Sequence, residues 1–365
     1  MQLLVDARLL AQGGKTGVEI YAENIVSRLI AARPETPITL FYNAWRTAPL
    51  PEDWRAPHVR VVNWGMPNKL YDLWQPAIDG HISCDAIYSP HMNRLRSERA
   101  PRALTIHDLS FIHYPQFFPL KYRLWHRRQR IAEQARDASV VITNSHYTKR
   151  DIMDTLGVPE AKIRVVYPGV DAPPAPAAAP DTLSTAQKGI LATPYILSLS
   201  TLEPRKNIPA AISAFALLKR DPRFADLNLI IAGGKSWKFD PPDYPGVIWW
   251  GGVSQEEKAF MYTEAEALIF PSFFEGFGFP PLEAQSYGCP VIASDRASLP
   301  EILGDSALLT SPWDVHGLAG ALEAVLTDEV ERDRLVARGY ENAQRFDWNT
   351  TICELSSIFS SLSAH

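Results

Sequence analysis

The chain has 365 residues, of which 46% are hydrophobic and 21% are charged, and its formal net charge is -5. This length exceeds that of an ordinary single domain and suffices for two hydrophobic cores. A general nucleic-acid binder needs a basic face, so we expect no nucleic-acid partner. The three cysteines, Cys84, Cys289 and Cys353, have neither disulfide-framework nor zinc-site spacing, which fits a reducing cytoplasm.

The N-terminal residues 2–6 are predicted to form a strand, and they lack the charged and apolar regions of a signal peptide. No run approaches the roughly 18 apolar residues that span a bilayer. We therefore expect a cytoplasmic protein that is not integral to a membrane.

Short apolar runs alternate with longer helical segments in the first half of the chain. The predicted strands are 2–6, 38–42, 59–62, 86–88, 103–106, 139–143 and 163–167. The clearest predicted helix is 17–32, where apolar residues recur at steps of three or four. This alternation predicts a doubly wound parallel sheet, a Rossmann-like α/β/α domain over residues 1–171.

The segment 121–130 within this half is basic and amphipathic. Its cations, Lys121, Arg123, Arg127, Arg128 and Arg130, are interleaved with Tyr122, Leu124 and Trp125. Such a helix can lie on an anionic membrane or near a lipid-linked substrate. The alternative is a helix with a solvated basic face.

Residues 172–180, APPAPAAAP, cannot hold a helix or a strand ladder, so a linker is predicted over 172–190. The alternation then restarts, and a second Rossmann-like domain is predicted over 191–345. Its predicted strands are 195–199, 227–232, 247–250, 267–270 and 290–293, with helices at 208–219 and 255–263. Ligands of open α/β sheets bind outside the carboxyl ends of the strands, so chemistry is expected there.

Residues 275–283, EGFGFPPLE, place Glu275 and Glu283 around a glycine loop that follows a predicted strand. Pro280 fits the first position of a helix, and Gly276 and Gly278 let the backbone approach a ligand. The segment therefore predicts an anion pocket at a helix N-terminus. Taken singly, Glu283 is also explained by a place in the first helical turn and Glu275 by a solvated loop.

Two other strand ends carry polar groups. Arg205 and Lys206 follow the strand 195–199 and supply a fork and a point charge suited to a diphosphate, although such pairs are usually solvated turns. His107 and Asp108 follow 103–106, where a histidine is more often structural than catalytic.

Two nucleotide-binding classes are disfavoured. Gly14-Lys15-Thr16 resembles the end of a P-loop, but Leu9 stands where that motif needs its first glycine. A dinucleotide fingerprint G-x-G-x-x-G is missing from the sequence. No D-x-D motif is apparent for a metal-bound diphosphate.

The E-x7-E spacing within EGFGFPPLEA, together with EPRKN at 203–207 and HDLSF at 107–111, resembles the retaining glycosyltransferases of the GT-B fold, family-4 type. The resemblance implies two Rossmann-like domains facing a central cleft, with a final helix within 346–365 that crosses back to the N-terminal domain. It also implies transfer of a sugar from a nucleoside diphosphate sugar to a hydroxyl, with retention at the anomeric carbon and with no cofactor or metal.

The resemblance also implies roles for particular residues. His107 and Glu275 lie at the reaction centre beside the donor sugar, and Glu283 binds the nucleotide ribose. Groups implied at the donor phosphates are Arg205, Lys206, Gly14 and Gly17, with Gly13 in the same loop; those implied along the nucleotide and sugar are Gly276, Phe277, Gly278, Phe279 and Gly233.

The same motifs resemble bacterial mannosyl- and rhamnosyl-type transferases that build surface polysaccharide such as lipopolysaccharide. GDP-mannose is therefore the first expected donor, and UDP-glucose or another nucleotide hexose is the next. The expected acceptor is a growing glycan, carried on undecaprenyl diphosphate at the inner face of the cytoplasmic membrane. A sugar-nucleotide epimerase of the same fold and a non-catalytic sugar-nucleotide scaffold are the alternatives.

Overall fold

The computed structural model describes residues 1–12, 17–43, 51–66, 70–71, 74–171, 179–234 and 244–362. The chain divides into two compact units. The first unit comprises Met1–Leu109, Leu120–Gly169 and Trp348–His365, and the second comprises Ser110–Pro119 and Val170–Asp347. The predicted residues Gly13 and Gly14 and the linker residues 172–178 lie outside the described part of the chain.

The first unit contains a parallel sheet whose described strands follow the order β3-β2-β1-β4-β5-β6-β7. The strands are β1 (Leu3–Asp6), β2 (Ile38–Tyr42), β3 (Val59–Asn63), β4 (Ala86–Ser89), β5 (Arg102–Thr105), β6 (Val140–Thr143) and β7 (Ile163–Val165). Every residue of the central strand β1 is buried, because both faces of a parallel sheet are covered. The predicted doubly wound sheet is confirmed.

The longer helices of the first unit are Gly17–Ala32, Leu120–Gln129, Ile131–Asp137, His146–Leu156 and Trp348–Leu362. The last of these belongs to the first unit although it follows the second unit in sequence. The guanidinium of Arg28 lies 4.9 Å from the ring centroid of Trp348, and the Thr351 hydroxyl donates to the Tyr167 carbonyl at 2.7 Å. The ring of Phe359 lies 4.9 Å from that of Tyr88. The final helix thus packs on the N-terminal unit, as the resemblance implied.

The second unit contains a parallel sheet whose described strands follow the order β10-β9-β8-β11-β12-β13. The strands are β8 (Tyr195–Leu199), β9 (Asn228–Ala232), β10 (Val247–Gly251), β11 (Ala267–Phe270), β12 (Val291–Ser294) and β13 (Leu308–Thr310). The edge strand β13 was not predicted, because it has three half-buried residues and no long apolar run.

The helices of the second unit are Ser110–His113, Thr185–Leu191, Ile208–Leu218, Gln255–Glu264, Phe279–Ser286, Leu299–Leu303, Val315–Thr327 and Glu329–Ala343. The first of them comes from a segment that interrupts the first unit in sequence. The helix Thr185–Leu191 occupies part of the segment predicted as linker, where Ser184 and Gln187 form a capping box. Among the helices in the described ranges, none is long and apolar enough to cross a membrane.

Candidate active site

Four charged side chains meet at the carboxyl ends of β8 and β11 in the second unit. Glu203, Arg205 and Lys206 follow β8, and Glu275 follows β11. The two strands are separated in sequence but adjacent in the sheet, so their ends open onto the same edge. Two cations and two carboxylates thus form one largely buried cluster.

Arg205 is fixed by both loops. Its Nε and Nη2 donate to Glu203 Oε1 at 3.1 and 2.6 Å, and its Nη1 donates to Glu275 Oε2 at 3.0 Å. Nη1 also donates to the carbonyl of Phe274 at 2.7 Å. The guanidinium is therefore held in one orientation, because its planar fork is bonded from two directions.

Lys206 and Glu275 form the most buried ion pair of the cluster. Lys206 Nζ donates to Glu275 Oε1 at 2.6 Å and lies 5.1 Å from the ring centroid of Phe270. Burial alone would raise the pKa of the Glu275 carboxyl, but Arg205 and Lys206 outweigh burial and hold that pKa below its usual value. Glu275 is therefore ionised at neutral pH.

Asn207 connects this cluster to a third loop. It adopts a left-handed conformation with φ 54°, and its Nδ2 donates to the carbonyls of Pro271 and Pro312 at 3.2 and 2.8 Å. The helix Ile208–Leu218 begins directly after it. The loops after β8, β11 and β13 are therefore tied together by one buried amide.

The helix that follows the glycine loop begins at Phe279, so two positional predictions are wrong. Pro280 occupies the second helical position, and Glu283 lies in the second turn. Gly278 precedes the helix with φ 100°, a conformation that favours glycine, which lets the chain turn sharply ahead of Pro280.

The loop itself is anchored by a buried hydroxyl. Ser298 Oγ donates to the carbonyls of Glu275 and Phe277 at 2.9 and 3.2 Å. The ring of Phe277 is buried and contacts Phe279, with 5.1 Å between centroids. These contacts fix the backbone of the segment between the two glutamates.

Glu283 has its own partners on the helix Gln255–Glu264. Lys258 Nζ donates to Oε1 at 2.6 Å, and the Tyr262 hydroxyl donates to Oε2 at 3.1 Å. Burial and the neighbouring Glu283 carboxylate raise the pKa of Tyr262, so this phenol stays protonated. Neither Lys258 nor Tyr262 was predicted from the sequence, although their spacing of four on a predicted helix places them on one face.

Gly233 has a clear backbone role at the end of β9. Its φ is 139°, and a Cβ at this position would lie 1.9 Å from the carbonyl oxygen of Ser200. The loops after β8 and β9 therefore approach so closely that only glycine fits. Its implied contact with the nucleotide stays a prediction.

His107 follows β5 in the first unit with both ring nitrogens bonded. Nε2 lies 2.8 Å from the Pro90 carbonyl and Nδ1 lies 2.9 Å from Asn144 Nδ2. A carbonyl only accepts, so Nε2 carries the proton and Nδ1 accepts from the amide. Burial lowers the pKa of His107, which keeps the ring neutral. This arrangement orients the ring, and the catalytic role of His107 stays a prediction.

A buried polar group at the end of β1 was not predicted from the sequence. Arg8 Nε and Nη2 donate to the two carboxylate oxygens of Asp6 at 2.8 and 2.6 Å, and the guanidinium lies 4.6 Å from the ring centroid of Tyr71. His91 Nε2 lies 3.7 Å from Asp6 Oδ1, and burial lowers the pKa of His91 to about 4. The sequence feature that could have indicated this group is a charged pair, Asp6 and Arg8, at the end of an apolar strand.

Gly14 and Gly17 were both predicted to lie near the donor phosphates. Gly17 is the exposed first residue of the helix Gly17–Ala32, whereas Gly14 lies outside the described residues. Within the described ranges no group of three or more His, Cys, Asp or Glu residues could hold a metal ion.

Comparison with known proteins places the chain and its fold in a class. The family described as "Glycosyltransferase Family 4" matches residues 15–172, and "Glycosyl transferases group 1" matches residues 184–342. Together with the two parallel α/β sheets, these matches show that the chain belongs to the glycosyltransferases of the GT-B fold.

Within this class the chain is similar to bacterial polysaccharide mannosyltransferases. It is 29% identical to O-antigen chain mannosyltransferase B of Escherichia coli over 91% of this chain and 93% of that protein. Sucrose-phosphate synthase from Thermosynechococcus elongatus shares the fold with a TM-score of 0.75, 21% identity and full coverage of both chains, 100% and 100%. Anabaena HepE in complex with UDP-glucose gives a TM-score of 0.70 at 20% identity, with coverage of 98% and 99%.

Proposed function

We propose that the protein transfers a mannosyl group from GDP-mannose to a hydroxyl of a growing glycan, with retention at the anomeric carbon. The observation that carries this proposal is the cluster of Arg205, Lys206 and Glu275, which joins two cations to an ionised carboxylate at the carboxyl edge of the sheet. The near full-length similarity to an O-antigen mannosyltransferase supports mannose as the sugar and surface polysaccharide as the product.

The cations of the cluster suit the donor diphosphate. Lys206 has three N–H donors, and one of them donates to the Glu275 carboxylate. Arg205 adds a positive charge whose position is already fixed by Glu203 and Glu275. As the anomeric C–O bond breaks, negative charge grows on the departing diphosphate, and preorganised cations stabilise it without reorganising.

Glu275 is suited to orient the sugar. Its pKa is lowered and its oxygens accept from two cations, so it is a poor proton donor and a poor nucleophile. Its remaining lone pairs can accept from sugar hydroxyls. We propose that the carboxylate holds the hexose while the leaving phosphate accepts the proton of the acceptor hydroxyl on the same face.

One bond breaks and one bond forms at the anomeric carbon in this step. The bond from the anomeric carbon to the phosphate oxygen breaks, and a bond from that carbon to the acceptor oxygen forms. The acceptor proton passes to the departing phosphate, which leaves as GDP. The protein mainly positions the reactants and stabilises charge.

Glu283 is proposed as the ribose anchor. Lys258 and Tyr262 fix both of its oxygens from the helix Gln255–Glu264, which removes rotamer freedom before the donor arrives. A carboxylate has about four lone-pair sites, so it can also accept from the ribose hydroxyls.

The reaction is proposed to need no metal ion, because Arg205 and Lys206 supply the positive charge that a metal would bring to the diphosphate. The acceptor is proposed to be a glycan carried on undecaprenyl diphosphate, used at the inner face of the cytoplasmic membrane. The name of the E. coli relative, which concerns O-antigen chains, supports a polysaccharide acceptor.

A second donor, UDP-glucose, is favoured by the structure of Anabaena HepE, which is a complex with UDP-glucose. A thermal-shift panel of GDP, UDP, GDP-mannose and UDP-glucose separates the two, because a ligand of the native state raises the unfolding temperature. We expect the guanosine compounds to raise it more. A larger shift with the uridine compounds would overturn the choice of mannose.

The alternative functions, a sugar-nucleotide epimerase and a non-catalytic scaffold, would give different products. An epimerase converts the nucleotide sugar without an acceptor, and a scaffold leaves it unchanged. Incubation of GDP-mannose with and without an acceptor glycan therefore tests transfer directly: we expect GDP to be released in step with growth of the glycan.

A further inference from the structure

Asn144 lies directly after β6, beside the strand end that carries His107. The strands β5 and β6 are hydrogen-bonded neighbours, so the residues that follow them share one edge of the sheet. The next residue, Ser145, caps the helix His146–Leu156 with its hydroxyl. The Asn144 side chain is therefore not needed as the cap, and its Nδ2 lies 2.9 Å from Nδ1 of His107.

The orientation of the Asn144 amide follows from its partner. His107 donates its Nε2 proton to the Pro90 carbonyl, so Nδ1 carries a lone pair that only a donor can meet. The amide must turn its N–H groups toward the ring, which directs Oδ1 away from it. This oxygen is buried and has no hydrogen-bond partner among the described residues. The bond to His107 is therefore the contact that fixes this amide, at the cost of a buried acceptor without a partner.

The other groups around His107 do not bond to Nδ1. The ring of Tyr21 packs edge-on with 4.7 Å between centroids, and burial raises the pKa of its phenol. Burial lowers the pKa of His107 and outweighs the neighbouring carbonyl and the Asp108 carboxylate, which both raise it. His91 on the loop after β4 is neutral, because burial lowers its pKa to about 4. Within the described ranges, the donor at Nδ1 comes from Asn144.

We propose that Asn144 is a positioning residue for the transfer reaction, which holds His107 as the neutral Nε2–H tautomer beside the donor sugar. This inference rests on the proposed function and on the place at the reaction centre that the resemblance implies for His107. Positive charge develops at the anomeric carbon as the bond to the phosphate breaks. A second proton on the ring would repel that charge.

The Asn144 amide opposes such a proton. Protonation of Nδ1 requires the bond from Nδ2 to break and the amide to rotate by half a turn, because a hydrogen bond to the neutral ring disfavours its charged form. With both ring nitrogens bonded inside the first unit, His107 takes no part in proton transfer. The proton of the acceptor hydroxyl is then left to the departing phosphate.

The variant Asn144→Asp tests the inference at nearly unchanged shape, because a carboxylate can accept from Nδ1 but cannot donate to it. We expect the pKa of His107 to rise by about 1 to 3, since an opposite charge stabilises the imidazolium. Asn144→Ala removes the donor without adding charge, and its His107 pKa should lie between those of the wild type and Asn144→Asp. Nitrogen-15 NMR of the full chain without ligand gives the tautomer and the pKa, with His107→Gln used to assign the signals.

Transfer from GDP-mannose across a range of pH gives a readout that a merely structural role would not change. The kcat of Asn144→Asp should fall about ten-fold for each pH unit below the raised pKa of His107, because the protonated form is inactive. The wild type should stay level over the same range. Asn349→Asp, which adds a carboxylate at an exposed asparagine of the same unit, is the matched control and should behave like the wild type.

Three results would overturn the inference: a wild-type His107 with its proton on Nδ1, equal His107 pKa values in the wild type and Asn144→Asp, or the same dependence of kcat on pH in both enzymes. All variants should bind GDP with wild-type affinity, because the proposed phosphate and ribose groups belong to the second unit. The NMR measurement needs no substrate. Failure of the proposed reaction, seen as no release of GDP by the wild type, is therefore distinguishable from failure of this inference.

Discussion

Lys206 Nζ lies 2.6 Å from Glu275 Oε1, and the two side chains are only 10% and 8% exposed. The pair joins the EPRKN motif to the first glutamate of the E-x7-E motif, which lie 69 residues apart in sequence. Because the carboxylate is ionised and held by cations, it is suited to orient a substrate and stabilise charge.

Replacing Lys206 with methionine should lower kcat/KM by a factor on the order of 10², because one preorganised donor to the leaving diphosphate is lost. Glu275 keeps its bond from Arg205 in this variant, so the fold should persist. Steady-state kinetics with GDP-mannose gives the measurement, and Lys188→Met, which changes an exposed lysine of the same unit, is the control. If the Lys206→Met enzyme had the kcat/KM of the wild type, Lys206 would have no role at the donor phosphates.

Replacing Lys258 with methionine should raise KM for the donor about ten-fold with little change in kcat, because a bond to the charged Glu283 is lost and the ribose anchor becomes mobile. Lys258→Arg should restore much of the affinity. A higher KM with an unchanged kcat distinguishes loss of donor positioning from general destabilisation of the enzyme. A fall in kcat with unchanged KM would argue against a ribose anchor.

Replacing Gly233 with alanine should destabilise the second unit by about 3 kcal/mol or more, because the new Cβ would collide with the Ser200 carbonyl. Gly234→Ala is a matched control, since a Cβ there meets nothing within 4 Å. Thermal unfolding followed by circular dichroism compares the two. Similar melting temperatures would contradict the close approach.

Asp79 should make the first unit sensitive to acid. Its carboxylate accepts from the backbone N–H groups of Glu98, Arg99 and Ala100, and these bonds outweigh burial to lower the pKa of Asp79 to about 2. A pKa below the unfolded value of 3.8 stabilises the fold above pH 3.8, and this contribution is lost as the pH falls toward about 2.

The variant Asp79→Asn tests this dependence by urea unfolding across acidic pH. It should cost about 1 kcal/mol at neutral pH, a figure reduced for solvent screening of a partly exposed group. The difference from wild type should shrink as the pH falls below 3.8. A constant difference at all pH values would show that the charge of Asp79 is not involved.

Activity should survive a chelator, because Arg205 and Lys206 are proposed to supply the positive charge that a metal would bring to the diphosphate. The measurement is transfer from GDP-mannose in EDTA. Complete loss, restored by magnesium or manganese, would contradict this part of the mechanism.

The sequence was a good guide to the elements of the sheets. Strands β2, β8 and β11 were predicted to the residue, because buried parallel strands are short apolar runs with polar ends. The edge strand β13 carried no such run. The motifs also located the charged cluster, since each follows a strand.

The sequence pattern did not predict which side chains from distant parts of the chain contact each other. Nothing local indicates that Lys258 and Tyr262 meet Glu283, because the contact depends on how two helices pack. The hydrogen bonds that fix His107 likewise come from Pro90 and Asn144, which directly follow the neighbouring strands β4 and β6. The order of strands in the sheet decides such contacts, and periodicity does not specify it.

The most direct test of the proposed reaction is the anomeric configuration of the glycan formed from GDP-α-D-mannose, read by proton NMR of the isolated product. We expect release of GDP and a new α-linked mannose, because the acceptor is proposed to enter on the face that the phosphate leaves. A β-linked mannose would contradict retention and the orienting role of Glu275.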